Sequence, residues 1–258
     1  FSNITIPLVG LVDTTLMGHM ENSKFLVATG ISTSVITMIF WSFGFLRMGT
    51  TGLVSQSLGK GDYREIVLSV LRNLSLALLI SLIIIILQTP ILNLIDYFFY
   101  NSSETQGLIQ KYISIRVWSA PAELSIYVLS GMFIGLQKTK ISSLLLSMFS
   151  ILNIIFSYYF VVNLELNIYG VALGTVISSY LTAVTFLIFS FYYIRNKFNI
   201  IPRYRKIFIA KKLFKLLNIN FDIFIRTLLL TFSFLWFTYQ SSKIGEDYLA
   251  INTILLQF

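Results

Sequence analysis

The chain has 258 residues, 56% of them hydrophobic and only 12% charged, where soluble domains carry about 25% charged residues; no soluble core of this size hides that much apolar surface. Zero cysteines exclude disulfides, thiolate metal sites and cysteine nucleophiles, and a single histidine, His19, argues against a histidine-based metal site. The net charge of +8 does not read as nucleic-acid binding, because the basic residues fall in short loops between apolar stretches.

Those stretches are about 20 residues long, the length a helix needs to cross the hydrocarbon. Runs such as Leu76-Ala-Leu-Leu-Ile-Ser-Leu-Ile-Ile-Ile-Ile-Leu87 do not alternate in polarity, so a transmembrane barrel is rejected. The fold class is therefore an all-α polytopic membrane protein. Spans are expected at 1–18, 28–57, 68–95, 112–136, 141–163, 168–194 and 221–242, with the start of another from 247. The chain begins at Phe1 without an initiator methionine and stops at Phe258 inside an apolar stretch, so it reads as a piece of a longer protein. No basic segment or small-residue cleavage site precedes Asp13, and no cleavable signal peptide is expected.

The first span carries Asp13 among apolar neighbours, with Pro7 six residues earlier. A charged side chain at the bilayer centre costs roughly 2.5–3.5 kcal/mol on insertion scales, so such an acid faces a cavity and by default has a function. Proline lacks the N–H that closes the helical ladder and bends the helix that holds the acid. His19, beside Glu21 at the end of this span, reads as a solvated cap. The second span holds Phe40, Trp41, Phe43 and Phe45, aromatics expected to face lipid or packing, and Arg47, expected to be a structural pairing residue. Gly49, Gly52, Gly59 and Gly61 lack the spacing of a phosphate loop and read as small residues for close helix contact.

On the fourth span Glu123 follows Pro121, a second helix-bending position. This acid is either a second protonatable group or lies near the outer end of the helix and meets Arg116 or water. Asn153 and Ser157 on the fifth span sit one helical turn apart and face the same way. After the sixth span, Lys206, Lys211, Lys212 and Lys215 alternate with Ile209, Leu213, Leu216 and Leu217, the pattern of a basic amphipathic helix lying on the inner leaflet.

Orientation follows from lysine and arginine. One side holds Lys60, Arg64, Arg72, Lys138, Lys140, Arg195, Lys197, Arg203, Arg205, Lys206, Lys211, Lys212 and Lys215; the other holds only Lys24, Lys111, Arg116 and Lys243. The richer side is expected to be cytoplasmic, and with it the N-terminus and the 195–220 linker. Asn22-Ser-Lys-Phe-Leu-Val-Ala-Thr29 and Gly245-Glu-Asp-Tyr-Leu-Ala-Ile-Asn252 open their spans alike, a trace of the internal repetition common in transporters.

Pro7-Leu-Val-Gly-Leu-Val-Asp-Thr-Thr-Leu-Met-Gly-His19, Phe40-Trp-Ser-Phe-Gly-Phe-Leu-Arg-Met-Gly-Thr-Thr-Gly52 with Gln56, and Gly59-Lys-Gly-Asp62 resemble the multidrug and toxic compound extrusion (MATE) family, in its DNA-damage-inducible protein F branch. Arg116-Val-Trp-Ser-Ala-Pro-Ala122, Gly135-Leu-Gln137, Tyr169-Gly-Val-Ala-Leu-Gly-Thr175 and Asp222-Ile-Phe-Ile-Arg226 extend the resemblance almost end to end. It implies twelve helices in two six-helix lobes around a cleft. Residues 1–194 would then be the first lobe, 195–220 a cytoplasmic linker, and 221–258 the seventh helix and part of the eighth. It also implies a secondary antiporter, not an enzyme, that exports small organic cations or amphiphiles from a bacterial cell across the inner membrane as a monomer. Inward protons would drive it, with sodium the other candidate, and no cofactor or metal is implied. A lipid-linked precursor flippase of the same superfamily is the alternative.

By the same resemblance Asp13 is the proton-coupling acid and Thr175 lines the cavity. Asn153 and Ser157 match an Asn-x-x-x-Asp pair of many relatives, and the second position departs from it. A hydroxyl cannot exchange a proton near neutral pH as a carboxyl does, so Asp13 would carry more of the coupling.

Overall fold

In the computed structural model, residues 16–17, 23–98, 103–198, 221–227, 229–230 and 233 are described, and among them there is helix and no strand. Asp13, Pro7, His19, the basic linker and the second copy of the repeat lie outside the described residues. The helices are α1 (Ser23–Ser42), α2 (Phe45–Gly59), α3 (Tyr63–Ile86), α4 (Gln88–Phe98), α5 (Ser103–Arg116), α6 (Ala120–Gly135), α7 (Thr139–Tyr158) and α8 (Asn167–Phe198). Among the described residues five stretches are long and apolar enough to cross a membrane: Phe25–Gly59, Tyr63–Ile86, Glu104–Gly135, Thr139–Asn163 and Asn167–Phe198. They coincide with the second to sixth expected spans. The third expected span, 68–95, needs correction, since α3 stops at Ile86 and a separate helix starts at Gln88. Pro90 accounts for the break, because its ring would clash with the carbonyl of Ile86 and it has no N–H to offer that carbonyl.

Short connections are built by local chemistry. After Gly59, the Lys60 N–H bonds the Gln56 carbonyl, Gly61 takes φ 69°, and the Asp62 side chain accepts from the Glu65 N–H at 2.9 Å, capping α3. The Gly-Lys-Gly-Asp motif is thus a helix-to-helix turn. At the end of α6, the Gln137 and Lys138 N–H groups bond the Ile134 and Phe133 carbonyls at 2.9 and 2.8 Å, with Gln137 at φ 59°. This is a Schellman closure. Between α5 and α6, Pro121 has no N–H for the Val117 carbonyl, which instead accepts from Ala120, so Val117–Ser119 tighten into a 3-10 turn.

The centre of the lobe is α6, which packs against α2, α3 and α8 and is buried almost all round, as a helix that is apolar on every face must be. Two glycine pairs set close backbone contacts, one on α6 and one on α8. A methyl group at Gly131 would come within 2.5 Å of the Arg47 carbonyl oxygen, and one at Gly135 within 2.8 Å of the Thr51 carbonyl oxygen. On α8, a methyl group at Gly170 would meet the Phe160 backbone at 2.9 Å and one at Gly174 the Ser157 backbone at 2.7 Å. These Gly-x-x-x-Gly faces bring backbones together. Gly52, Gly59 and Gly61, expected to serve that purpose, have nothing within 4 Å of an added methyl group, which corrects that reading: the contact glycines lie on α6 and α8. Because the Gly131 neighbour is backbone and cannot rotate away, Gly131→Ala is expected to destabilise the protein by about 1–3 kcal/mol, seen as a lower unfolding temperature in detergent. Gly52→Ala should leave that temperature unchanged or raise it.

Outward faces are apolar: Leu78, Leu82 and Ile86 on α3, Leu144, Ile151 and Ile155 on α7, and Ile188 and Phe191 on α8 are exposed. In a bilayer such faces meet lipid at no cost. Phe224, on the 221–227 helix, stacks on Phe43 and meets Phe45 edge-on at a centroid distance of 5.5 Å, seating this helix at the α1–α2 junction.

Candidate functional site

Within this apolar lobe α8 carries a buried polar stripe, Thr175, Ser178, Ser179 and Thr182. Thr175 and Ser179 are one helical turn apart and join two clusters. On one side Asn153 of α7 donates from Nδ2 to Thr175 Oγ1 at 2.8 Å, and Thr175 donates to the Val171 carbonyl at 3.0 Å. The approach that permits this is set by Gly174, whose missing side chain leaves room for Ser157. Asn153 Oδ1 and Ser157 Oγ are fully buried and have no hydrogen-bond partner among the described residues. An unmet buried polar atom costs about 1–3 kcal/mol, so two of them a turn apart mark a place built for a donor.

On the other side Ser179 Oγ approaches Glu123 Oε1 at 3.3 Å. The same oxygen takes Arg116 Nη1 at 2.7 Å and Ser119 Oγ at 2.8 Å. Each serine hydroxyl also has a backbone acceptor at 2.8 Å, Arg116 for Ser119 and Thr175 for Ser179, and shares its one proton between the two. The Arg116 guanidinium lies over the Phe40 ring at 5.7 Å. Of the two readings of Glu123, the structure shows contact with Arg116: the acid lies in the first turn of α6, inside the Glu104–Gly135 span. Arg116, counted above among outer-loop cations, is buried in the same span, and Arg72, counted on the other side, is buried within α3 and paired with Glu65 at 2.7 Å.

The structure thus brings Asn153, Ser157, Thr175 and Glu123 into one seam, with Pro121 at the start of α6 beneath the turn that aims Arg116 at Glu123. Ser119 and Ser179 were missed as members. The spacing of Arg116, Ser119 and Glu123, three and seven residues along one helical face, is the signal for Ser119; nothing local in the sequence points Ser179 at the acid. Arg47, expected to be paired, forms no ion pair or side-chain hydrogen bond among the described residues. No cluster of His, Cys, Asp or Glu that would hold a metal ion occurs among them either.

The Asn153–Thr175 bond yields a direct expectation. Thr175→Val keeps the shape but strands the buried Asn153 amide, which should cost about 1–3 kcal/mol, whereas Thr175→Ser should cost far less. Detergent-phase thermal unfolding of the two variants checks this, and equal melting of both would remove the bond from the account.

A membrane-embedded helical lobe with a polar seam in its interior is the architecture of a solute transporter rather than of a surface anchor. Comparison with known proteins places it more narrowly. The MatE family model matches residues 1–159. DNA damage-inducible protein F of Escherichia coli is 33% identical over 256 residues, 99% of this chain and 56% of that protein. Multidrug export protein MepA of Staphylococcus aureus is 24% identical over 189 residues, 73% of this chain and 41% of its own. The solved outward-facing conformation of a multidrug resistance MATE family transporter of the MOP superfamily superposes with a TM-score of 0.86 at 19% identity, over 99% of this chain and 56% of that one. The chain spans about half the length of these relatives. It belongs to the MatE family, a family of multi-pass membrane transporters rather than enzymes.

Proposed function

We propose that the chain supplies the first lobe, 1–194, the linker, 195–220, and the opening of the second lobe, 221–258, of a secondary antiporter. It exports organic cations or amphipathic compounds across the bacterial inner membrane against an inward proton flow. The observation that carries this reading is the pair of buried oxygens, Asn153 Oδ1 and Ser157 Oγ, that have no hydrogen-bond partner among the described residues and lie beside Thr175 on the polar stripe of α8. A static structural core has no use for unmet oxygens, whereas a lobe that alternates between two hydrogen-bonded arrangements does.

In this reading Asp13 is the coupling acid. Protonated, its O–H is a donor of the kind Asn153 Oδ1 or Ser157 Oγ lacks; ionised, it is drawn toward water and toward a cationic substrate. A proline at position 7 would let the first helix bend and follow the acid between these positions. Glu123, held by Arg116 and two serines, anchors the α5–α6–α8 side and is not the proton carrier. MepA's description as a multidrug export protein supports small-molecule export as the output. The positive balance of Lys60, Arg64, Lys138, Lys140, Arg195 and Lys197 at one end of the lobe supports placing that end in the cytoplasm.

The test is export of a fluorescent organic cation from proteoliposomes of the full-length protein under imposed proton or sodium gradients. Export driven by the proton gradient alone supports the reading. Export driven by sodium alone reassigns the ion, and movement of a lipid-linked oligosaccharide without export of any small compound replaces the antiporter with a flippase.

A further inference from the structure

Arg47 stands apart from the other buried cations of the lobe. It sits on α2 twelve residues before Gly59, about 18 Å from that helix end and thus at membrane depth, where an arginine faces a partner or a watered cavity. Arg72 has Glu65 and Arg116 has Glu123; Arg47 has neither carboxylate nor hydrogen-bonded side chain among the described residues and is only half-buried. Its backbone is fixed, because its carbonyl takes Thr51 Oγ1 at 2.8 Å, the same hydroxyl lies 3.2 Å from the Gly131 carbonyl, and Gly131 packs directly on it.

One helical turn below Glu123 on α6 is Tyr127, also half-buried. It lies one turn before Gly131, the residue that packs on the Arg47 carbonyl, and its hydroxyl makes no side-chain hydrogen bond among the described residues. Glu123 Oε1 already receives three donors. A full positive charge and a phenol hydroxyl thus flank the same α2–α6 contact, and neither is hydrogen-bonded through its side chain among the described residues. Aromatic surface adjoins on the chain, with Phe43 in the turn that leads into α2 and stacked on Phe224.

We propose that Arg47 and Tyr127 receive the anionic group of an amphiphile, a sulfonate, carboxylate or phosphate ester whose apolar body lies along the aromatic turn. The inference rests on the reading of the lobe as one wall of an export cleft and narrows its cargo from organic cations toward amphiphiles that carry a negative charge. A guanidinium fits such a group as a fork of two parallel N–H donors, which an ammonium cannot reproduce.

Two dyes with the same aromatic body separate charge from apolar fit: 1-anilinonaphthalene-8-sulfonate and uncharged N-phenyl-1-naphthylamine. Binding to the full-length protein in phosphatidylcholine nanodiscs is read from fluorescence, with empty nanodiscs subtracted. The wild type is expected to hold the sulfonate about tenfold more tightly than the neutral dye, the scale of one charge-assisted contact. Arg47→Gln should bring the two dyes level and leave the neutral dye unchanged, and Arg47→Lys should keep part of the preference. Tyr127→Phe should reduce it several-fold. Phosphatidylglycerol added to the nanodisc displaces the sulfonate if bilayer lipid is the natural occupant, and leaves it bound if a free amphiphile is. Unchanged sulfonate affinity in Arg47→Gln, with the variant monodisperse and melting like the wild type, overturns the proposal even where proton-driven export is intact. Loss of export with the dye preference preserved would instead count against the antiporter reading alone.

Discussion

Asp13→Asn is expected to remove gradient-driven accumulation while leaving the protein folded and in the membrane. Asparagine copies the shape of a protonated aspartate and keeps its hydrogen-bonding reach, but it has no proton to exchange. The size of the effect follows from the driving force. One pH unit is worth about 1.4 kcal/mol per proton, a factor of ten in concentration, so an exchanger of one proton for one neutral substrate can hold a ratio of about 100 against a gradient of about two units. With the exchangeable proton gone that ratio should fall to one, even though substrate still binds. The measurement is steady-state accumulation in proteoliposomes at matched protein content, with and without collapse of the gradient. An Asp13→Asn protein that still holds a gradient-dependent ratio near that of the wild type would make Asp13 structural. Asp13→Glu, which keeps the proton but lengthens the arm, should keep part of the ratio. That result would separate loss of titration from loss of shape.

The helical spans were legible because a run of twenty apolar residues has few alternatives, and Phe25–Gly59, Tyr63–Ile86, Glu104–Gly135, Thr139–Asn163 and Asn167–Phe198 all follow such runs. Breaks inside a span were harder to read. Pro90 sat in an apolar stretch whose hydropathy continued past it, so the end of α3 at Ile86 was hidden by composition although its steric cause was in view. Glycine spacing is ambiguous in a related way, since it says that a face is narrow but not what the face meets. Gly131 and Gly135 abut backbone while Gly52 abuts nothing, and only packing distinguishes them. Charges misled where burial was paired. Arg72 and Arg116 were counted as loop residues although each lies inside a helix beside its own acid, while Arg47, expected to be paired, has no such partner among the described residues. Of the seam, Asn153 and Ser157 were legible as a pair one turn apart. That Asn153 meets Thr175, and that Ser179 one turn on reaches Glu123, depends on how α8 crosses α7 and α6, which spacing along one helix cannot encode.

Removing either member of the Arg116–Glu123 pair is expected to cost about 3 kcal/mol or more, because each leaves the other charge buried without its partner. The side chains are 10% and 16% exposed, so water cannot take the place of the missing ion as it would at a surface. At about 2–4 °C per kcal/mol for a chain of this size, Arg116→Met and Glu123→Leu should each melt about 6–12 °C below the wild type in detergent. The double variant should recover most of that loss. Ser119 and Ser179 retain their backbone acceptors, Arg116 and Thr175, when the carboxylate is gone, so removing both charges strands neither hydroxyl, and apolar side chains of similar volume fill the space. Recovery would show that the pair costs nearly as much desolvation as it returns and is kept for the position it imposes: the 3-10 turn at Val117–Ser119, the start of α6 and the Ser179 face of α8 all converge on Glu123. A double variant as unstable as either single one would mean that the ion pair itself supplies the stability. Single variants that melt with the wild type would mean that the site is wetter than its burial implies. Export separates position from stability, since the recovered double variant, held below its melting temperature, should still lose rate if the α6–α8 alignment set by Glu123 is what keeps Thr175 within 2.8 Å of Asn153.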